Sequence, residues 1–433
     1  MRILLAANAS YVPPRGGATR SNMVWLELLA GAGHECRIVA ADLTHDRDGK
    51  LKQLRDEGIQ AEVIQSGSPS GVEVLRRGPI LVYAAADPHI RTQTLARQIQ
   101  DFQPDWVLVS SEDLGQVLLK EAQRRAPGRV VYLAHTPQLF PFGPASWNPD
   151  PAGAELVRQA AGIVAIGEHA GDYIARSLGR RPAVIHPPIY GPGPFENFAR
   201  FDSGMITMVN PCAVKGISIF LELAHRFPQC PFGALPGWGT TRADRQALEA
   251  LPNVTVLPNV GSIQDFLRRT RILLMPSLWY EGFGLSVMEA MLHGIPVISS
   301  DSGGLREAKM GTRFVIPVRP IEQYEPAFDE HGLPAAVVPE QDIEPWAEAL
   351  HSLLANRELY EEESALSRQR AIAFVESIQP GRMDEYLKSL AAPAASWPAA
   401  QAPAAGSHLL ELSPEKRALL LARLRKGMGK SAD

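Results

Sequence analysis

The sequence predicts an α/β protein made of two doubly wound, Rossmann-like domains that face each other across a cleft, followed by a short helical tail. Three observations lead to this prediction. Short apolar runs alternate with segments of helical period in both halves of the chain, a Pro/Gly-rich break spans 186–194, and polar motifs follow several predicted strands. Strands that alternate with helices form parallel sheets through right-handed crossovers.

In the first half, apolar runs predict the strands of one sheet. The predicted strands are Ile3–Ala7, Cys36–Ala40, Trp106–Ser110, Val130–Ala134, Gly162–Ile166 and Ala183–Ile185. Between the first two, Arg20–Ala32 has a helical period and ends at a Gly-rich stop. The first run is too short for a signal peptide, because a polar Pro/Gly loop follows it at once. We therefore expect a buried first strand.

The second half repeats the same alternation. Its predicted strands are Met205–Val209, Val254–Leu257, Ile272–Met275 and Val297–Ser299. Gly216–Arg226 is a predicted helix. The predicted domains are residues 1–190 and 191–390. Ligands of such sheets bind at the carboxyl ends of the strands, so we expect the functional residues just after the strands.

The end of the chain differs from both domains. Residues 391–408 are rich in Ala and Pro and almost uncharged, which is typical of a linker. Within 409–433, the segment Leu409–Lys430 predicts one short amphipathic helix, with Ser413 as N-cap and Pro414 at the first helical position. Its leucines form one face and its lysines and arginines another.

Composition excludes several classes of function. The chain has 433 residues and a net charge of −4, so no overall basic field indicates nucleic acid binding. The three cysteines are far apart, which favours reduced thiols in the cytoplasm. No apolar run reaches the roughly 18 residues of a membrane helix, although peripheral membrane contact stays open. Asp46-Arg47-Asp48 is interpreted as a solvated loop, and no spacing predicts zinc, so we expect no metal and no cofactor.

The segment from Glu281 to Met291 is the main candidate for chemistry. It follows a predicted strand and opens a helix, whose free amides and positive dipole end suit a diphosphate. Gly282 and Gly284 allow close backbone approach. Glu281 and Glu289 bracket this anion site, which makes sense if they accept hydrogen bonds from neutral hydroxyls. The alternative is a surface helix with two solvated glutamates.

This segment resembles the E-x7-E signature of retaining glycosyltransferases of family 4, which have the GT-B fold of two facing Rossmann domains. The resemblance covers roughly residues 1–390, and the loop at 301–307 also fits the family pattern. It implies that Glu281 contacts the sugar of a nucleotide-sugar donor and that Glu289 binds the ribose. It also implies that residues 1–190 hold the acceptor and 191–390 the donor. The implied donor-binding residues between the two glutamates are Gly282, Phe283, Gly284, Leu285 and Ser286.

Lys215 is the next candidate, because it follows the first strand of the second half and precedes a helix. An ammonium there can neutralise a diphosphate, although a solvated surface lysine is the alternative. The family usually pairs this lysine with an arginine about five residues earlier. That position holds Asn210 here, which we also assign to the donor site, so one expected cation is missing or another residue supplies it.

Two candidates lie in the first half. Gly16 and Gly17 follow the first strand, and the family places a Gly-rich loop there against the donor phosphates, with Arg20 or Asn22 as additional contacts. A plain turn is the alternative. His135 ends a strand, where similar enzymes carry a histidine beside the donor sugar, whereas a lone histidine can also be a structural group. The loop Gln138–Trp147 would then face the acceptor.

The resulting hypothesis is a metal-independent retaining glycosyltransferase in which His135, Lys215 and Glu281 are catalytic. A UDP-sugar is the preferred donor and a GDP-sugar the second. The tail segment 413–420 resembles linker or docking segments of nonribosomal peptide and polyketide synthases, which would make the acceptor a small natural product or its carrier-bound intermediate. Alternatives are a lipid or polysaccharide acceptor at a membrane surface, a GT-B-fold epimerase or phosphorylase, and a non-catalytic nucleotide-sugar-binding scaffold.

Overall fold

The computed structural model describes residues 1–12, 14, 16–42, 47–56, 58–65, 71–258 and 262–391. The described residues belong to one compact unit. The predicted helix at 409–433 and nearly all of the predicted linker at 391–408 lie outside the described residues, as does Asp46 of the Asp46–Asp48 motif.

Among the described residues, nine strands form the sheet of the first half in the order β3-β4-β5-β2-β1-β6-β7-β8-β9. All neighbours pair in parallel except β3 with β4 and β4 with β5. The strands are β1 (Arg2–Ala6), β2 (Glu35–Ala40), β3 (Ala61–Gln65), β4 (Glu73–Arg77), β5 (Ile80–Ala84), β6 (Trp106–Ser110), β7 (Val130–Ala134), β8 (Gly162–Ala165) and β9 (Ala183–Val184).

The six strands predicted for this half are present, each within one residue of the expected ends. Every residue of β6 and β7 is buried, because parallel strands covered by helices on both faces need continuous apolar runs. The antiparallel edge formed by β3 and β4 was not predicted, since these strands carry charged, partly exposed side chains. The helices are α1 (Gly17–Gly31), α2 (Arg47–Asp56), α3 (Pro88–Phe102), α4 (Val117–Arg125), α5 (Pro151–Arg158) and α6 (Glu168–Leu178).

In the described part of the second half, six parallel strands form a sheet in the order β12-β11-β10-β13-β14-β15, and an antiparallel hairpin of β16 and β17 follows. The four predicted strands are present within two residues of their expected ends. The strands are β10 (Met205–Val209), β11 (Phe232–Leu235), β12 (Val254–Val256), β13 (Thr270–Met275), β14 (Val297–Ser300), β15 (Val315–Ile316), β16 (Tyr324–Phe328) and β17 (Pro334–Ala336).

The last helix of the described chain returns to the first half. The Asp384 carboxylate lies 2.8 Å from Nε2 of His34, and the Tyr386 hydroxyl donates to the Ile163 carbonyl at 3.4 Å. The predicted boundary at residue 190 falls between β9 and β10, but the chain crosses back after the second sheet. The helices are α7 (Ile217–Arg226), α8 (Arg242–Glu249), α9 (Ile263–Leu267), α10 (Leu285–Leu292), α11 (Leu305–Ala308), α12 (Glu344–Ala355), α13 (Arg357–Ser377) and α14 (Arg382–Ser389).

Within the described ranges, no helix combines the length and the apolar character that a membrane span requires.

Candidate active site

The two glutamates of the main motif lie at the carboxyl edge of the second sheet. Glu281 sits in the loop between β13 and α10, Glu289 sits one turn inside α10, and both side chains are buried. Gly284 caps the helix with φ 121°, a backbone angle that favours glycine. Behind the loop, the Gly304 amide donates to the Glu281 carbonyl at 2.8 Å. The 301–307 loop therefore supports the motif from the next strand of the sheet.

Glu281 is paired with Lys215. The Lys215 ammonium lies 2.5 Å from Oε1 of Glu281, and the Ser277 hydroxyl donates to the same oxygen at 2.6 Å. Only about a tenth of either charged side chain is exposed. The ammonium also lies 4.3 Å from the ring centroid of Trp279. Sequence reasoning missed Ser277 and Trp279, although both lie within five residues of the motif.

Glu289 is paired with a cation from the other half of the chain. The Arg20 guanidinium on α1 donates to Oε1 of Glu289 at 2.7 Å. The charge of Glu289 raises the pKa of Arg20 above its ordinary value. The buried Tyr190 hydroxyl has no hydrogen-bond partner among the described residues, and burial, followed by the charge of Glu289, raises its pKa. The second cation at the motif is thus Arg20.

The first half approaches the motif at two glycines. A Cβ atom on Gly17 would lie 2.8 Å from Cδ1 of Leu285, at the start of α10. A Cβ atom on Gly282 would lie 2.1 Å from the carbonyl oxygen of His135, which essentially no side chain can tolerate. Gly16 adopts φ 87° as the N-cap of α1. The structure therefore brings the Gly16–Gly17 turn, His135 and the motif together, as the sequence suggested.

A buried network orients the His135 ring. Nε2 of His135 lies 2.8 Å from Oδ1 of Asn22, while Nδ2 of Asn22 donates to the Tyr11 hydroxyl at 2.9 Å and to the Ser110 hydroxyl at 3.0 Å. Ser110 in turn donates to the Glu112 carboxylate. Because the Ser110 hydroxyl donates its proton to Glu112, it accepts from the Asn22 amide nitrogen, and the Asn22 oxygen therefore accepts from His135. Nε2 therefore carries the proton, and Nδ1 presents a lone pair.

The lone pair on Nδ1 of His135 is free in this network. The atom is buried and has no hydrogen-bond partner among the described residues. Burial lowers the pKa of His135 to about 3, so the ring is neutral near pH 7. A neutral ring with an unpaired Nδ1 lone pair can accept a hydrogen bond from a hydroxyl but cannot stabilise an anion.

Asn210, at the position where the family usually has an arginine, supports a neighbouring loop. It has φ 54°, and its Oδ1 accepts from the Gly239 amide at 2.9 Å. A Cβ atom on Gly237 would lie 2.6 Å from that oxygen. The side chain carries no charge, so it does not replace a cation. Its assignment to the donor site stays a prediction.

Glu307 joins the two halves behind the motif. Its carboxylate accepts from the amides of Glu168 and His169 at the start of α6, each at 2.9 Å, and lies 2.9 Å from Nε2 of His186. Burial alone would raise the pKa of Glu307, but the hydrogen bonds from His186 and the two amides outweigh it and hold the pKa below its usual range. Sequence reasoning missed this contact, because its partners are far apart in the chain.

Metal ligation finds no support in the described ranges, where no three His, Cys, Asp or Glu side chains are grouped closely enough to hold an ion. The absence of metal remains a prediction.

Comparisons with known proteins identify similar sequences and folds. Residues 15–190 match the family model described as Glycosyltransferase Family 4, and residues 205–356 match the model described as Glycosyl transferases group 1. No curated protein sequence gives a significant match.

Solved structures cover most of the chain at low identity. A glycosyltransferase from Rickettsia africae is 13% identical with a TM-score of 0.58, covering 90% of this chain and 98% of its own. A mutant of TarM from S. aureus, solved with Fondaparinux, alpha-GlcNAc-glycerol and UDP, is 12% identical with a TM-score of 0.60, covering 90% and 99%. Anabaena Alr3699/HepE with UDP-glucose is 14% identical with a TM-score of 0.57, covering 90% and 98%. The predicted GT-B fold is confirmed.

Proposed function

We propose that this chain, a glycosyltransferase with the GT-B fold, transfers a sugar from a nucleoside diphosphate donor with retention at the anomeric carbon and without a metal ion. A UDP-sugar is the preferred donor, since TarM and HepE have the same fold and were solved with UDP or UDP-glucose. A GDP-sugar is the second candidate.

The main support for this proposal comes from two ion pairs near the start of α10. Lys215 neutralises Glu281, and Arg20 neutralises Glu289. A diphosphate can take both cations, which frees the two carboxylates to accept hydrogen bonds from hydroxyls of the sugar and the ribose. In the bound state the two carboxylates have no cation beside them, so they depend on hydrogen bonds donated by the ligand hydroxyls, because isolated buried charges are costly.

The same groups can stabilise the leaving group. As the bond between the anomeric carbon and the phosphate oxygen breaks, charge grows on the diphosphate beside Lys215, Arg20 and the free amides near Leu285. The acceptor oxygen bonds to the anomeric carbon on the same face, and the leaving phosphate takes the acceptor proton. His135 would accept a hydrogen bond from a hydroxyl of the donor sugar through Nδ1.

Binding and turnover of variants test the site. We expect Glu281→Gln mainly to reduce turnover and Glu289→Gln mainly to weaken nucleotide binding, measured by nucleoside diphosphate release and by thermal shift. Glu348→Gln, an exposed carboxylate on α12, is the matched control. Unchanged donor kinetics in both site variants would overturn the assignment.

Turnover in excess chelator tests the metal-free version, because the proposed cations are protein side chains. Activity is expected to persist in chelator. Strict dependence on added divalent metal would overturn this part of the proposal alone.

The acceptor class and the role of the tail are part of the proposal. We favour a small-molecule acceptor in the cytoplasm, where the three free cysteines would stay reduced. An assay for the glycosylated acceptor distinguishes a transferase from an epimerase or a non-catalytic scaffold. Removing residues 392–433 and measuring liposome flotation separates a membrane role of the tail from docking to a synthase: tail-dependent flotation favours the membrane, and its absence leaves synthase docking standing.

A further inference from the structure

Two indoles of the second half lie beside the ammonium of Lys215. The ammonium is 4.3 Å from the ring centroid of Trp279 and 6.0 Å from that of Trp238. The two rings are 5.3 Å apart, centroid to centroid. Trp279 is only 9% exposed, whereas Trp238 is 47% exposed. Nearly half of the Trp238 side chain is therefore open to a ligand next to the ion pair of Lys215 and Glu281.

The topology of the second sheet places Trp238 at the binding crevice. From β10 the chain adds β11 and β12 on one side and β13, β14 and β15 on the other, so the strand order reverses between β10 and β13. Ligands of such sheets bind outside the carboxyl ends of the strands at this reversal. Lys215 follows β10 and Glu281 follows β13, so their ion pair spans the reversal. Trp238 follows β11, the strand next to β10.

The loop that carries Trp238 is held in place by Asn210. Oδ1 of Asn210 accepts from the Gly239 amide at 2.9 Å, and the Thr240 hydroxyl accepts from the Gly237 amide at 3.0 Å. A Cβ atom on Gly237 would lie 2.6 Å from Oδ1 of Asn210. Because the loop lies directly against this side chain, a longer residue at position 210 would displace it. The indole is thus fixed beside the site before any ligand binds.

The ammonium of Lys215 marks the place that a sugar hydroxyl would take. In the proposed exchange the diphosphate draws Lys215 away, and a hydroxyl of the donor sugar replaces the ammonium at Oε1 of Glu281. Nonbonded carbon atoms pack at about 3.5–4.0 Å. A hydroxyl oxygen 6.0 Å from the Trp238 centroid would therefore lie about 2 Å, or one to two bonds, from an atom packed on the indole. The ring that carries the hydroxyl fits into this gap.

The chemistry of the indole selects a sugar ring rather than a phosphate. An indole face is a large apolar surface that packs on C–H groups, and it has no hydrogen-bond donor for a phosphate oxygen. The other end of the donor lies elsewhere, because Glu289, the proposed ribose contact, is paired with Arg20. Trp238 therefore lies at the sugar end of the donor site.

We propose that Trp238 is a specificity-determining residue whose indole packs on the C–H face of the pyranose ring of the donor. The contact lets the site distinguish a nucleotide sugar from the bare nucleoside diphosphate, and its loss after transfer favours release of the diphosphate. The inference rests on the proposed function, because it concerns the sugar of the same donor.

Isothermal titration without an acceptor measures this contact. The quantity compared is the ratio of the dissociation constants of UDP and UDP-glucose, with GDP and GDP-mannose as the second pair. Trp238→Ala should weaken binding of the nucleotide sugar by about three- to tenfold and that of the bare diphosphate by less than about twofold. Trp238→Phe keeps an aromatic face and should recover most of the ratio.

The control removes an exposed aromatic ring outside the site. Phe328→Ala on β16, where the side chain is exposed, should leave both dissociation constants unchanged. If Trp238→Ala does not fold, Trp238→Leu removes the aromatic face and keeps an apolar side chain on the loop.

The outcomes separate the two levels of the proposal. A loss of affinity confined to the nucleotide sugar supports the role of Trp238. Equal losses for the nucleotide sugar and the bare diphosphate, or a wild-type ratio in a folded Trp238→Ala variant, would overturn that role and leave the proposed function intact. If the wild type binds none of the four ligands, the proposed function fails, and the role of Trp238 fails with it.

Discussion

Replacing Glu281 by glutamine should strengthen the binding of a bare nucleoside diphosphate, although it removes a residue of the proposed active site. In the structure the Lys215 ammonium is held by Glu281 at 2.5 Å, and both side chains are largely buried. A diphosphate must draw the ammonium away from this carboxylate. The substitution removes that competition, and a bare diphosphate has no sugar whose contact with Glu281 could be lost.

The magnitude follows from the burial of the pair. A hydrogen bond to a charged group contributes about 1.5–3 kcal/mol net, and each 1.4 kcal/mol is a factor of ten in the dissociation constant. The affinity of the Glu281→Gln variant should therefore rise by about tenfold, with about 150-fold as the upper limit.

Glu289→Gln should behave differently. Arg20 is 36% exposed, so its pair with Glu289 is screened by solvent, and removing it gains at most about fivefold in affinity. The same substitution removes the proposed ribose contact, so the net result should be weaker binding.

Isothermal titration with UDP and GDP measures these changes. Glu348→Gln is the control for charge removal, and the double variant Lys215→Met with Glu281→Gln should lose the gain because the cation is absent. If Glu281→Gln keeps its fold but binds the diphosphate no more tightly than the wild type, the idea that Lys215 leaves Glu281 to bind the diphosphate is refuted.

Four further predictions concern the contacts around the motif. Nitrogen NMR should show the His135 ring protonated at Nε2, and Asn22→Leu should lose this single tautomer and lower turnover by about tenfold or more; an unchanged spectrum would contradict the network. The stabilisation from neutral His135 is complete above its unfolded pKa of 6.5 and is lost as the pH falls toward 3. Between pH 7 and 5 the free energy of unfolding, measured by urea titration, should therefore fall by about 2 kcal/mol more in the wild type than in His135→Gln. An equal fall in both proteins would contradict this prediction. Gly282→Ala should cut turnover by about tenfold or more, because its Cβ meets the His135 carbonyl; wild-type turnover would show that the loop can yield. Glu307→Ala should lower the free energy of unfolding by about 1–3 kcal/mol, because it leaves the amides of Glu168 and His169 without an acceptor; no change in denaturation would mean that water replaces the carboxylate.

The pattern of apolar runs was enough to predict the strands of the two parallel sheets except β5, β11 and β15. Buried parallel strands need continuous apolar residues, so β6, β7 and β10 could be predicted to the residue. The edge strands β3 and β4 could not, since one face of an edge strand meets water and its sequence is mixed. The hairpin of β16 and β17 is likewise exposed and carries little periodic signal.

For the site, the chain by itself determined the residue types and their local spacing. Glu281, Gly282, Gly284 and Glu289 lie on one loop and helix, whose geometry follows from neighbouring residues. Lys215 could also be placed, because the first strand of the second half leads to the same edge of the sheet.

Only the tertiary structure decided which charges neutralise each other. Arg20 meets Glu289 across 269 positions of sequence, and Glu307 meets α6 across about 139. Which residues pair depends on how the two sheets pack against each other, and no local sequence pattern predicts that packing. The position of the usual arginine holds the uncharged Asn210, whereas Glu289 is neutralised by Arg20 on a helix of the opposite half, because charge compensation depends on distance in space rather than on position in the sequence.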